Sequence, residues 1–142
     1  MKVYESKVPL GATPEYLSGL YILQTSSSLL PVMALAPKYG ERILDLSAAP
    51  GVKTTHIGQI LKNTGVILAN DISKERIHAL NANIARMGIS NCVTTQNDGR
   101  FLSKTFINFF DRVLLDAPCS GIGVVYKDSN IKLKKTTADF KK

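Results

Sequence analysis

The stretch that decides the fold is Arg112-Val113-Leu114-Leu115-Asp116-Ala117-Pro118-Cys119-Ser120-Gly121. Its apolar first part, followed closely by a proline, predicts a central strand of a parallel sheet that is buried on both faces. Open α/β folds bind their ligands at the carboxyl ends of such strands. We therefore expect Asp116 and Cys119, which follow the strand, to face a cleft and to be candidate catalytic residues.

A second stretch has the same pattern and reads Asp45-Leu46-Ser47-Ala48-Ala49-Pro50-Gly51-Val52-Lys53-Thr54. In both stretches the end of a strand is followed by small residues, a proline and then polar residues. A glycine-containing turn between a strand and a helix presents backbone N–H groups and a helix N-terminus, which suit a nucleotide-like ligand. Two such loops on neighbouring strands predict one site.

From Arg42 onward the chain alternates between strand and helix patterns. The predicted strands are residues 42–46, 65–70, 92–96 and 112–115, and the predicted helices are residues 53–62 and 74–87. The second helix has the clearest signals, because Ser73 is a natural N-cap and Gly88 falls where a left-handed C-cap would lie. The alternation predicts an α/β fold.

The segment before Arg42 has a different pattern. Its leucines and tyrosines predict one or two amphipathic helices that dock at an edge of the sheet, with Pro31 near the start of the second helix. The cluster Ser26-Ser27-Ser28 is interpreted as a helix cap or turn.

Length and composition favour one soluble, intracellular domain. The 142 residues suffice for a single core, and the sequence has neither a signal peptide nor an apolar run of about 20 residues that could span a membrane. Two cysteines, Cys92 and Cys119, and two histidines, His56 and His78, have no zinc-site spacing. We expect reduced thiols and no structural metal.

The net charge of +7 is concentrated at the C-terminus, where residues 127–142 contain six lysines and two aspartates. Such a tail can neutralise phosphates in a nucleic acid. The same composition is typical of a solvated terminus, which is the interpretation that charge alone favours.

The spacing of Gly51 and Asp71 indicates a nucleoside ligand. Asp71 lies 20 residues after Gly51 at the end of the second predicted strand, where Rossmann-like domains present a carboxylate to ribose hydroxyls. The glycines do not form the G-x-G-x-x-G pattern of dinucleotide sites, so adenosine with a compact, non-phosphorylated group fits better. S-adenosylmethionine answers that description.

A phosphate-binding P-loop is the alternative, because Lys53-Thr54 is the pair found there. Ser47 stands where the P-loop requires a glycine. A β-carbon at that position would crowd the backbone approach that a bound triphosphate needs, so the P-loop interpretation is disfavoured.

Asp98 follows the third predicted strand and could accept a hydrogen bond from an adenine amino group. Alone, Asp98-Gly99 is more typical of a turn, but with Asp71 and Asp116 after other strands the functional role is favoured. Cys119 is either a catalytic thiol or a small buried residue. Lys53 is the one evident cationic partner for its thiolate, and is therefore a catalytic candidate too.

Four stretches carry a resemblance to a known family, and they are residues 10–17, 27–37, 62–71 and 110–121. With these motifs the chain resembles the Nol/Nop/Sun family of RNA cytosine-5 methyltransferases, and most closely its nucleolar proliferation-antigen branch, which modifies large-subunit ribosomal RNA. The resemblance covers nearly the whole chain. It implies a Rossmann-like, S-adenosylmethionine-dependent methyltransferase fold.

The resemblance also implies the roles of the site residues. The cofactor site is the loop Ser47, Ala48, Ala49, Pro50, Gly51, Val52 and Lys53, with Asp71 on the ribose, Asp98 near the adenine and Asp116 beside the methionyl part. Val52 replaces the second glycine of the family's loop, a change that bears on the cofactor pocket. In the family a cysteine thiolate adds to carbon 6 of cytosine, which activates carbon 5 for the methyl group, and the target base leaves its stack.

The family's usual nucleophile lies in a later Thr-Cys motif, beyond residue 142. Cys119 matches the other family cysteine, which assists product release. Alternatively, Cys119 itself acts as the nucleophile. Residues 1–126 are expected to form the methyltransferase core, with a helical segment at 1–41 and a βαβ portion at 42–126, and residues 127–142 form the tail.

An incomplete sheet would leave the strand at 112–115 with an exposed apolar edge. Such an edge predicts a partner chain that completes the sheet. The resemblance implies RNA, of the ribosomal class, and pre-ribosomal proteins as further partners. The implied localisation is the nucleolus in a eukaryote and the cytoplasm otherwise. A catalytically silent homologue that binds ribosomal RNA as a scaffold is the alternative function.

Overall fold

A computed structural model of the chain describes residues 7–117, so that Cys119 and the predicted tail lie outside the described residues. The elements follow in the order 3-10 turn Leu10–Ala12, α1 Pro14–Leu17, α2 Ser26–Leu35, β1 Arg42–Asp45, α3 Val52–Leu61, β2 Val66–Asp71, α4 Lys74–Arg86, β3 Cys92–Gln96, α5 Gly99–Thr105 and β4 Arg112–Leu114. The predicted strands and helices after Arg42 are confirmed, with bounds that differ by at most one residue. Helix α5 was not predicted.

The four strands form one parallel sheet in the order β3-β2-β1-β4. Strand β1 pairs with β2 on one side, where Ile43 faces Ile67, and with β4 on the other, where Leu44 faces Val113. The direction in which successive strands are added reverses between β1 and β4, and open α/β sheets bind ligands at such a switch point. The prediction that the two key loops follow neighbouring strands is confirmed.

Strand β4 is not the central strand that its apolar sequence predicted. It lies at an edge of the described sheet, and the side chain of Val113 is 50% exposed while that of Leu114 is buried. Only one face of the strand is covered, because Leu114 packs into the core that the sheet forms with the helices of that face. Within residues 7–117, β4 therefore leaves apolar side chains exposed at an edge of the sheet.

The core has two parts, one on each face of the sheet. The larger part lies between the sheet and helices α2, α3 and α4, and its fully buried members include Val32, Ile43, Ile57, Leu61, Ile67 and Leu80. The smaller part joins Leu44 and Leu68 to Leu102 of α5. Because successive strand residues point to opposite faces, the apolar pairs 43–44 and 67–68 supply both parts.

The N-terminal segment docks where it was predicted to dock, since α2 packs on α3 and on the edge strand β4. Arg112 of β4 donates from Nη1 to the carbonyl of Leu35 at 2.7 Å and from Nε to Glu41 at 2.6 Å. Two details of the prediction are wrong. Pro31 lies in the middle of α2, because the serine cluster forms the helix's first turn, and α2 is not amphipathic, since Leu30 and Met33 are exposed.

Among residues 7–117, no helix has both the length and the apolar character needed to cross a bilayer.

Two glycines that precede the amino ends of β1 and β2 allow a test of the fold. Gly40 and Gly65 both have a positive φ, but a β-carbon on Gly65 would lie 2.2 Å from the carbonyl oxygen of Glu41, whereas one on Gly40 would meet nothing within 4 Å. We expect Gly40→Ala to cost about 1 kcal/mol of unfolding free energy through backbone strain alone. Gly65→Ala should cost more than about 2 kcal/mol, because the backbone must also move.

Urea denaturation followed by circular dichroism measures both costs. Equal losses for the two variants would contradict the close approach at Gly65.

Candidate functional site

The turn between β1 and α3 is fixed to the end of β2 by backbone hydrogen bonds. The N–H of Ala48 donates to the carbonyl of Asn70 at 2.8 Å, and the N–H of Ala49 donates to the carboxylate of Asp71 at 3.1 Å. Gly51 closes the turn with a φ of 100°, and a β-carbon there would lie 2.9 Å from a methyl group of Leu80. The turn therefore needs a glycine at this position.

The side chains of the predicted cofactor loop divide into two groups. Ala48 and Ala49 are buried in the core, so they offer a ligand their backbone and not their side chains. Ser47, Pro50, Val52 and Lys53 remain at least partly exposed. Val52 begins α3 and is not among the residues with positive φ, so replacing the family's glycine causes no backbone strain here.

Asp71 lies beneath the turn rather than open to the cleft, and its side chain is 2% exposed. Its two oxygens accept from the N–H groups of Ala49 and Ser73, and Arg76 Nη1 lies 3.5 Å away. Arg76 also donates to the carbonyl of Ala49. A carboxylate has about four acceptor positions, and three are occupied here, so the predicted contact of Asp71 with a ribose hydroxyl stays a prediction.

The structure brings the catalytic candidates Lys53 and Asp116 together. Lys53, near the N-terminus of α3, places its Nζ 2.6 Å from an oxygen of Asp116, which follows β4. The lysine side chain is 19% exposed and the aspartate side chain is 54% exposed. The pair thus holds an accessible carboxylate in a defined position at the switch point between β1 and β4.

A second carboxylate, Asp45, lies near this ion pair and was missed as a site residue from the sequence. It is the last residue of β1, is buried, and accepts from the hydroxyl of Thr54 at 2.8 Å. Burial raises the pKa of Asp45 to about 6, although the Thr54 hydrogen bond and the charge of Lys53 act in the opposite direction. A carboxylate at the end of an apolar strand was the available signal.

Asp98 has the local backbone role that the Asp98-Gly99 pair indicated. It caps α5 by accepting from the N–H of Arg100 at 3.0 Å, and the Arg100 guanidinium pairs with the same carboxylate. The hydrogen bonds from Arg100 hold the pKa of Asp98 below its usual value. The residue lies beyond the carboxyl end of β3, at the same edge of the sheet as Asp71 and Asp116, and its contact with adenine stays a prediction.

A parallel sheet with this strand order, a glycine-closed turn after β1 and carboxylates at the ends of the other strands form a Rossmann-like fold, which the chain shares with S-adenosylmethionine-dependent methyltransferases. The family model described as "16S rRNA methyltransferase RsmB/F" matches residues 32–142. The chain belongs to this family. The predicted fold and family are thereby confirmed, and the predicted cofactor is confirmed as that of the family.

Two curated relatives are the 25S rRNA (cytosine-C(5))-methyltransferase nop2 of Schizosaccharomyces pombe and the human 28S rRNA (cytosine(4447)-C(5))-methyltransferase. They are 58% and 56% identical over 99% and 97% of this chain, which covers 23% and 17% of their own lengths. The chain thus spans about a fifth of these relatives. Among solved structures, NSun6 from Pyrococcus horikoshii with SFG matches with a TM-score of 0.84 and 35% identity, over 94% of this chain and 34% of that one.

The raised pKa of Asp45 predicts how stability varies with pH. An acid whose pKa is higher in the folded state stabilises the fold fully below its ordinary pKa of 3.8, and this contribution is lost as the pH rises through about 6. Relative to Asp45→Asn, we expect the wild-type chain to lose on the order of 2 kcal/mol of unfolding free energy between about pH 4 and pH 7.

Urea denaturation at a series of pH values measures this difference. Asp111→Asn is the matched control, because a hydrogen bond from the Arg42 backbone lowers the pKa of Asp111. Its contribution is present at neutral pH and is lost as the pH falls, which is the opposite direction. A wild-type chain that gains stability over Asp45→Asn as the pH rises would contradict the prediction.

Proposed function

We propose that the chain is the cofactor-binding portion of an S-adenosylmethionine-dependent RNA cytosine-5 methyltransferase that acts on ribosomal RNA. The observation that carries the proposal is the placement of the Lys53–Asp116 ion pair beside the turn that Asp71 supports. Family membership and the names of the relatives support the reaction and the class of RNA. Because the relatives are named as methyltransferases, the scaffold alternative is not favoured.

The described residues fit S-adenosylmethionine. The turn at residues 47–51 presents backbone with small, buried alanines beneath it, which leaves room for close approach of a ligand. Asp71 keeps one acceptor position for a ribose hydroxyl, and Asp98 can accept from the adenine amino group. When bound, the cofactor supplies an electrophilic methyl group. The methionyl part then belongs beside Asp116, at the switch point between β1 and β4.

The exposed carboxylate of Asp116 is suited to hold the target base. It can accept a hydrogen bond from the exocyclic amino group of a cytosine, while Lys53 keeps the carboxylate in place through the 2.6 Å ion pair. A base that reaches this position must leave its stack. In this arrangement Lys53 orients Asp116, and Asp116 orients the ring relative to the cofactor's methyl group.

The net charge of +7 suits an RNA substrate, since lysines and arginines neutralise phosphates. Pre-ribosomal proteins are further partners within this proposal, as is a chain that covers the edge of β4. The proposed location is the nucleolus for a eukaryotic source and the cytoplasm otherwise.

Titration of S-adenosylmethionine into the purified chain, monitored by calorimetry, tests the cofactor site. We expect saturable binding, and we expect Asp71→Ala to weaken it by at least about tenfold, since loss of a charged acceptor for a ribose hydroxyl and for Ala49 costs about 1.5 kcal/mol or more. Asp111→Asn removes a carboxylate at the opposite end of the sheet and should bind as the wild type does. A chain that is folded by circular dichroism yet binds no cofactor would overturn the proposal.

RNA that carries 5-fluorocytosine distinguishes the two roles proposed for Cys119. The thiolate that adds to carbon 6 stays bonded to the base after methyl transfer, because fluorine at carbon 5 cannot leave as a proton would. An adduct that forms with the wild-type chain and is lost in Cys119→Ser assigns the addition to Cys119. No adduct with the wild-type chain would rule out Cys119 as the nucleophile and leave it the role in product release. Cys92→Ser is the control, because burial raises the pKa of the Cys92 thiol to about 12.

A further inference from the structure

Asn70 is an amide in an otherwise apolar stretch of β2, one residue before Asp71, and its side chain is almost completely buried. All of its principal hydrogen-bonding positions are occupied. Its Nδ2 donates to the carbonyl of Leu46 at 3.2 Å and to the carbonyl of Asn97 at 2.9 Å. Its Oδ1 accepts from the hydroxyl of Thr95 and from the N–H of Asn97, both at 3.0 Å.

These partners belong to two loops of the proposed cofactor site, the turn after β1 and the Asp98 loop. Leu46 begins the turn that ends at Gly51, and Asn97 directly precedes Asp98. The backbone of Asn70 adds a third link, because its carbonyl accepts from the N–H of Ala48. One buried residue therefore fixes the turn after β1 and the Asp98 loop relative to each other.

We propose that Asn70 is a positioning residue for cofactor binding, which couples the turn after β1 to the Asp98 loop without touching the ligand. The proposal rests on the proposed function for its ligand. An amide is required, because the site needs two donors and an acceptor at one position. An aspartate would place a carboxylate oxygen against two carbonyl oxygens, and an apolar residue would leave buried backbone groups without partners.

A double-mutant cycle tests this coupling, with the affinity of the full 142-residue chain for S-adenosylmethionine as its readout. We expect Asp98→Ala to lower the wild-type affinity by about tenfold, as loss of a charged hydrogen bond does. In an Asn70→Ala background the same substitution should cost less than about threefold, because Asp98 is no longer held in position. Additive losses would overturn the proposal, since a residue that supports only the fold would give them.

Amide hydrogen exchange on the chain without cofactor provides an independent readout. We expect Asn70→Ala to increase exchange at residues 46–49 and 97–99 together, while Ile67→Val, a core substitution in the same strand, leaves the two loops unchanged. Increased exchange in only one loop, or the same increase in Ile67→Val, would overturn the coupling. If Asn70→Ala does not fold, Thr95→Val removes one of the four hydrogen bonds and should show the same pattern with smaller amplitude.

The two proposals fail separately. A folded wild-type chain that binds no S-adenosylmethionine overturns the proposed function and the cofactor role of Asn70, while the exchange experiment still decides whether Asn70 links the loops. Cofactor binding with an additive cycle overturns the role of Asn70 alone.

Discussion

The hydrogen bond from the N–H of Ala49 to the buried carboxylate of Asp71 is the interaction on which the site depends. A buried carboxylate is costly unless its charge is compensated. Here the N–H of Ser73 and the half-exposed guanidinium of Arg76 supply that compensation. The same guanidinium donates to the carbonyl of Ala49. Asp71 and Arg76 therefore hold the backbone of Ala49 through both its N–H and its carbonyl, and the turn is fixed without a ligand.

Lys53 is placed between two carboxylates in different environments. Asp116 is accessible and lies 2.6 Å from the ammonium group, whereas Asp45 is buried and feels the same charge from the end of β1. Burial raises the pKa of Asp45 to about 6, while the hydrogen bond from Thr54 and the charge of Lys53 lower it. The hydroxyl of Thr54 fixes the buried member through its hydrogen bond. Asp45 thus interacts electrostatically with both members of the Lys53–Asp116 ion pair.

Local signals in the sequence predicted most of the fold, and long-range pairings explain what they missed. Helix α4 was predictable because Ser73 caps it and its apolar residues recur at helical spacing. Helix α5 is only seven residues long, and its first residues read as a turn. The positions of Asp71 and Asp98 at one edge of the sheet followed from the alternation of strands and helices. The role of Asn70 did not, because its partners lie 24 and 27 residues away in the chain.

The part of the site proposed for adenosine and the part proposed for the base differ in how well the strands beneath them are packed. The half that would hold adenosine is closed by Asn70, Asp71 and Arg76, all of which act on loops from the well-packed strands β1, β2 and β3. The half that would hold the base depends on Asp116, which follows the edge strand β4, where Val113 and Leu115 are exposed. Val113 and Leu115 leave apolar surface exposed along β4, and an exposed edge strand is a site at which another chain can pair. Because the contacts of Asn70, Asp71 and Arg76 do not involve β4, we expect a chain that pairs with β4 to affect placement of the base more than cofactor affinity.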